Sequence, residues 1–160
     1  MNILLKCVKQ SGYSVRFPSG VISQPLDGGA PRMRRVSRNN WRTVAVNWTV
    51  QESGYQYLCA FYEIWCENPS QPFYANLIVD GPEYKAYRCH FEPDSFGLDS
   101  KEGTVFGVSA QFLVKPIIDR DLNQIIVDSG NNGVDLSDIT NPLDHLVNVA
   151  LPKALESIRV

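Results

Sequence analysis

With 160 residues, 44% of them hydrophobic and 20% charged, the chain has room for one domain with an appended tail, and its composition excludes disordered, collagen-like and disulfide-dense classes. The net charge of −2 hides an asymmetry: residues 1–50 hold eight Lys or Arg against one acid, whereas residues 51–160 hold seven against sixteen. A cationic third joined to an anionic remainder points to an acidic partner for the basic segment: nucleic acid, another protein, or the acidic part of a second copy.

In chain order, Ile3-Leu4-Leu5 and Val15-Arg16-Phe17, punctuated by Ser11-Gly12, Pro18 and Gly20, predict short edge strands and turns. The segment 23–40 holds Pro25, Gly28, Gly29 and Pro31 and then Arg32, Arg34, Arg35 and Arg38, with almost nothing to bury, and reads as a long loop or arm. Residues 41–50 alternate, with Val44, Val46, Trp48 and Val50 on one face, and predict a half-buried strand. Tyr55, Leu58, Phe61, Tyr62 and Trp65 then recur at helical spacing. Thr49 with Glu52, or Ser53 with Gln56, offers a capping box at the start, and Asn68-Pro69 ends the helix.

Three further strands are predicted at 73–79, 84–91 and 104–115, the first two joined by Asp80-Gly81-Pro82 and the last two by a loop from Pro93 to Gly103. The order β-α-β-β-β, with neighbouring strands antiparallel, predicts an α+β fold: a sandwich-like antiparallel sheet with one flanking amphipathic helix, over residues 1–116. Beyond Pro116, Ile117-Ile118 and Ile125-Ile126-Val127 are short apolar runs, and Asp128 to Gly133 reads as a turn or linker. Asn141-Pro142-Leu143-Asp144 starts a helix whose apolar stripe runs to Ile158, kinked at Pro152, so that 117–160 forms a C-terminal helical tail.

Chemistry is sparse. The four cysteines, at 7, 59, 66 and 89, lack the spacing of a zinc site and are expected as reduced, buried thiols. His90 falls on the strand face opposite Phe91 and His145 on the polar side of the last helix, so neither reads as a base. Glu92, Asp94, Asp99 and Glu102 crowd one loop but fit no calcium pattern, and no phosphate loop or nucleophile elbow is present. Neither a cofactor nor a metal nor catalysis is therefore expected, nor a membrane span, nor a secretory leader in the opening residues. The one local anomaly is arginine: Arg32, Arg34, Arg35, Arg38 and Arg42 stand within eleven residues with no acid among them. Guanidinium groups suit carboxylate or phosphate, so this cluster fits a protein interface, a solvated loop or a nucleic-acid contact. The candidate interface residues are these five arginines and His145.

Gly12-Tyr13-Ser14, Arg16, Pro18 and Gly20, the strand W-R-T-V-A-V-N-W-T-V, the helix with its Pro-containing end, Pro72-Phe73, Asp80-Gly81, the Tyr87 to Phe91 strand and the closing V-F-G-V-S-A-Q-F-L-V-K-P strand resemble the minor tail, or distal tail, proteins of long-tailed bacteriophages. The likeness covers about residues 12–116; the arginine-rich arm at 22–40 is an insertion, and 117 onward has no counterpart. The resemblance implies a non-enzymatic virion protein, assembled in the host cytoplasm, whose copies close into a ring, sixfold in symmetry, at the tip of the tail. Such a ring joins the tail tube to hub and receptor-binding parts, contacts tape-measure-type proteins and lets genome DNA pass its lumen without sequence-specific binding. Tail terminators, tubes and head-to-tail connectors share the architecture. The arm and the 117–160 tail are the expected contact devices.

Overall fold

The computed structural model describes residues 2–38 and 40–133. The chain divides into two units, Met1–Ile118 and Asp119–Val160. The first is α+β and is built on one seven-stranded sheet. Its strands are β1 (Asn2–Ile3), β2 (Ser14–Arg16), β5 (Arg42–Gln51), β6 (Phe73–Leu77), β7 (Lys85–Phe91), β8 (Gly97–Glu102) and β9 (Val105–Val114), and its helix is α1 (Glu52–Glu67). Two more strands, β3 (Val21–Leu26) and β4 (Gly29–Arg35), form a separate ribbon.

The sheet order is β1-β6-β7-β9-β5-β2, with β8 also on β9. It departs from the expected sandwich-like antiparallel sheet in being a single mixed sheet: β1 runs parallel to β6, while every other pair is antiparallel. β1 and β6 are far apart in sequence, with β2 to β5 and α1 between them, so no hairpin turn constrains their pairing to be antiparallel. One edge of β9 is shared, with Phe112 to Val114 paired to β7 and Val105 to Ser109 paired to β8. In the gap between, the Ser95 hydroxyl accepts the Gln111 amide at 3.1 Å and Glu92 N–H donates to the Gln111 carbonyl at 2.8 Å, so the interrupted ladder leaves no orphan there.

Strand alternation sends Val44, Val46 and Trp48, Phe73, Ala75 and Leu77, Tyr87, Cys89 and Phe91, and Phe106 through Val114 at every second residue to one buried face. α1 covers part of that face. Phe61, Tyr62 and Trp65 pack around Phe91, which also meets Phe73, Phe96 and Phe112 at ring-centroid distances of 4.9–6.3 Å. The remainder is covered by the chain crossing from β1. Leu4 N–H donates to Tyr74 on β6 at 2.8 Å and Lys9 N–H to Asn47 on β5 at 2.7 Å, while the Trp48 indole donates to the Lys6 carbonyl between them. Among the described residues, no other element of the first unit lies over the opposite face, with Thr43, Ala45, Asn47, Gly107, Ser109 and Gln111.

Neither expected capping box forms. Gln51 is the N-cap and makes no side-chain cap bond, because β5 runs straight into α1 and Thr49 is still paired to Gly107 in the ladder. The abrupt change of direction needs Gly54: a Cβ there would meet the Val50 Cβ at 2.9 Å. The helix ends at Asn68 as expected.

Two segments read as loops hold regular structure. The 93–103 loop contains β8, turned into β9 through Gly103 at φ +60°. In the second unit, α2 (Arg120–Asn131) takes in the apolar run 125–127 and most of the expected 128–133 linker. The Asp119 carboxylate caps it, accepting from the amides of Asp121 and Leu122 at 3.1 Å, and Gly133 follows at φ +70°. The helix expected from Asn141 lies outside the described residues. The thiols also differ from expectation: Cys89 alone is buried, Cys59 is intermediate, and Cys7 and Cys66 are exposed; all are free. Among the described residues no helix is long and apolar enough to cross a membrane.

Candidate functional site

The arginine-rich segment is not a loop. Gly20 opens it at φ +63°, and its carbonyl accepts from Val36 N–H at 2.8 Å and Ser37 N–H at 3.3 Å, which clamps the two ends together. A Cβ at Gly20 would meet the Ser37 carbonyl at 2.7 Å, so both backbone angle and space require glycine. β3 and β4 then pair from Val21↔Arg35 to Leu26↔Gly29, leaving Asp27-Gly28 as a two-residue tip with Gly28 at φ +90°. A register shift between Gln24 and Leu26 takes Pro25 out of the ladder, where its missing N–H costs nothing.

Register places Arg32 (opposite Gln24) and Arg34 (opposite Ile22) on one face of the ribbon. Arg35, opposite Val21, shares the other face with Met33. Arg38 lies beyond β4 and is exposed. Every residue of both strands is exposed, including Val21, Ile22, Leu26 and Met33, and among the described residues the ribbon contacts no other element of the first unit. A two-stranded ribbon with uncovered apolar side chains is marginal alone in water, which makes it a surface awaiting cover.

Arg42 belongs elsewhere. Its side chain is only 15% exposed; Nε lies 3.4 Å from Asp80 Oδ1, and the guanidinium sits 4.5 Å from the Phe17 ring centroid. Asp80 also accepts from Ile117 N–H at 2.9 Å. Arg42 therefore joins Phe17, at the root of the arm, to Asp80, a setting different from that of the other four arginines. Among the described residues it makes the one ion pair; Arg32, Arg34, Arg35 and Arg38 face no carboxylate there. His145 lies outside the described residues.

The uncovered sheet face has its own polarity. At the Arg42 end of β5 it carries Arg16 and Arg88, in register with Thr43 and Tyr74. At the Gln51 end it carries acids from β8. The bulge between Leu98 and Ser100 turns Asp99 onto this face, where it accepts from the Ser109 hydroxyl at 2.8 Å, and Glu102 pairs opposite Val105. Lys101 points to the other side, 5.4 Å from the Phe106 ring centroid. Sequence reading missed β8 and its aligned acids; the signal was Gly103 two residues before the alternating run.

His90 Nδ1 lies 3.0 Å from the Pro69 carbonyl, which only accepts, so this nitrogen carries the proton; the ring meets Trp41 edge-on at 5.4 Å. Among the described residues no group of three or more His, Cys, Asp or Glu is arranged to hold a metal. Partly buried Tyr13 donates its hydroxyl to the Ile78 carbonyl at 2.8 Å and is pushed up to about 12, with desolvation the largest cause, as it is for the Cys89 thiol, also raised to about 12. No protein-family model matches the chain, and none of the curated proteins matches it.

Proposed function

We propose that this protein is a structural subunit of a bacteriophage tail, closing into a ring at the tail tip that joins tube to hub. Its resemblance to distal tail proteins supplies the biological setting. The observation that carries the assembly reading is the ribbon β3–β4: three arginines, with Arg38 just beyond them, and four exposed large apolar residues, with no other element of the first unit against them among the described residues. A subunit that grips a neighbour can do so through such an appendage. The Gly20 clamp and the Arg42–Asp80 pair hold its root, so that the ribbon is presented and not merely tethered.

The test is direct. Purified chain examined by mass measurement and electron microscopy is expected to give closed rings of one stoichiometry, and to enter tail-tip particles when supplied with tail components. Chain that remains monomeric and enters no particle would sink the reading. A tube, terminator or connector role would show as rings that bind a different tail part.

A second reading has one observation in its favour. A two-stranded basic ribbon has the width to enter the major groove of duplex DNA. Binding that falls steeply with salt and disappears when Arg32, Arg34, Arg35 and Arg38 become Ala would establish it; no binding at low salt dismisses it.

A further inference from the structure

We propose that the free edge of β8 is the receptor for the β3–β4 ribbon of a second copy, making a head-to-tail contact by strand addition. This deepens the assembly reading above and rests on its self-association, not on the phage setting.

Among the described residues β8 pairs with β9 alone, so its outer edge presents backbone groups that none of them pairs, and from Leu98 to Glu102 every residue is exposed. Such an edge invites another strand. Its charges then select the strand. A second β8 would bring acid against acid, which is destabilising across a pair, so like-for-like pairing is disfavoured. β4 matches instead: Arg32 and Arg34 stand two residues apart on one face, as do Ser100 and Glu102 on β8, with Asp99 turned to the same side by the bulge. An extended pair in this register sets one guanidinium beside the Glu102 carboxylate and the other beside Ser100, next to the bulged Asp99.

The occupant has to be another molecule. The ribbon leaves the sheet at the Arg42 end of β5, whereas β8 lies beside the Val105 end of β9, which pairs with Gln51. Those ends are separated by about 30 Å of strand. The ribbon touches no element of its own unit. A contact between one surface and a different surface is heterologous and propagates, closing into a ring or extending as a filament.

Charge reversal with rescue tests it on the full chain. Arg32→Glu with Arg34→Glu, and separately Asp99→Arg with Glu102→Arg, each weakens association by about a hundredfold or more, because like charges then face each other. Mixing the two variants, or combining all four changes in one chain, restores association. All four positions are exposed, so unchanged circular dichroism and melting temperature verify folding. Three results would overturn the contact: wild-type chain that stays monomeric at high micromolar concentration, association indifferent to either reversal, or loss without rescue. Loss of duplex-DNA binding in the arm variant, with association intact, would assign the ribbon to nucleic acid. Rings that survive both reversals remove this contact and spare the ring reading; open filaments that dissolve and recover with the charges keep the contact and remove the closed ring.

Discussion

At the scale of single residues, burial decides chemistry. Cys89 is fully enclosed and its thiol is pushed up to about 12, while in the unfolded chain it returns to about 8.5. The folded pKa is the higher one, so the folded protein keeps a proton that the unfolded chain releases between those values. Stability is therefore fully present below pH 8.5 or so and falls as pH rises toward 12, at up to ~1.4 kcal/mol per pH unit from this group. Tyr13, also raised to about 12, adds to the decline from about pH 10. Denaturant titrations across this alkaline range are expected to show it, and Cys89→Ala to flatten its early part. An alkylating reagent at mildly alkaline pH is expected to label exposed Cys7 and Cys66 in the folded protein and Cys89 only after denaturation, read by peptide mass.

At the scale of elements, the ribbon and the sheet are energetically separate. Excising residues 21–36, with Gly20 joined to Ser37, is expected to leave the melting temperature of the sheet within a few degrees of wild type and to abolish self-association. A large loss of stability would mean that the ribbon supports the sheet, against its lack of contact with it. The same separation explains what sequence could reveal. β5, β7 and β9 were legible because each buries one face, and alternation in sequence records that burial. β3, β4 and β8 bury almost nothing, so their side chains follow no period; hydrogen bonding alone makes them strands. The arginines were visible as a cluster but not as two faces, and Arg42 could not be told from the rest until Asp80 was seen beside it. α2 was missed because Ile125-Ile126-Val127 suits either structure, and only the Asp119 cap decides.

At the scale of the whole molecule, the uneven charge of the sequence becomes a spatial one within the first unit: Arg16, Arg88 and the ribbon at one end of the sheet, Asp99 and Glu102 at the other. Association between copies is expected to weaken steadily from low to high sodium chloride, as the screening length falls from about 10 Å at 0.1 M to 3 Å at 1 M, measurable by light scattering. Salt-independent association would assign the contact to the apolar residues of the ribbon instead.

The long β5–β9 pair has a mechanical consequence. β5 begins at the root of the arm and pairs with β9 over all ten of its residues, and β9 in turn carries β8. Tension applied between the arm and the β8 edge would thus run parallel to the strands and load that ladder in shear, all its hydrogen bonds at once, rather than unzipping them singly from one end. A fold wired this way resists stretching along the line from the arm to β8.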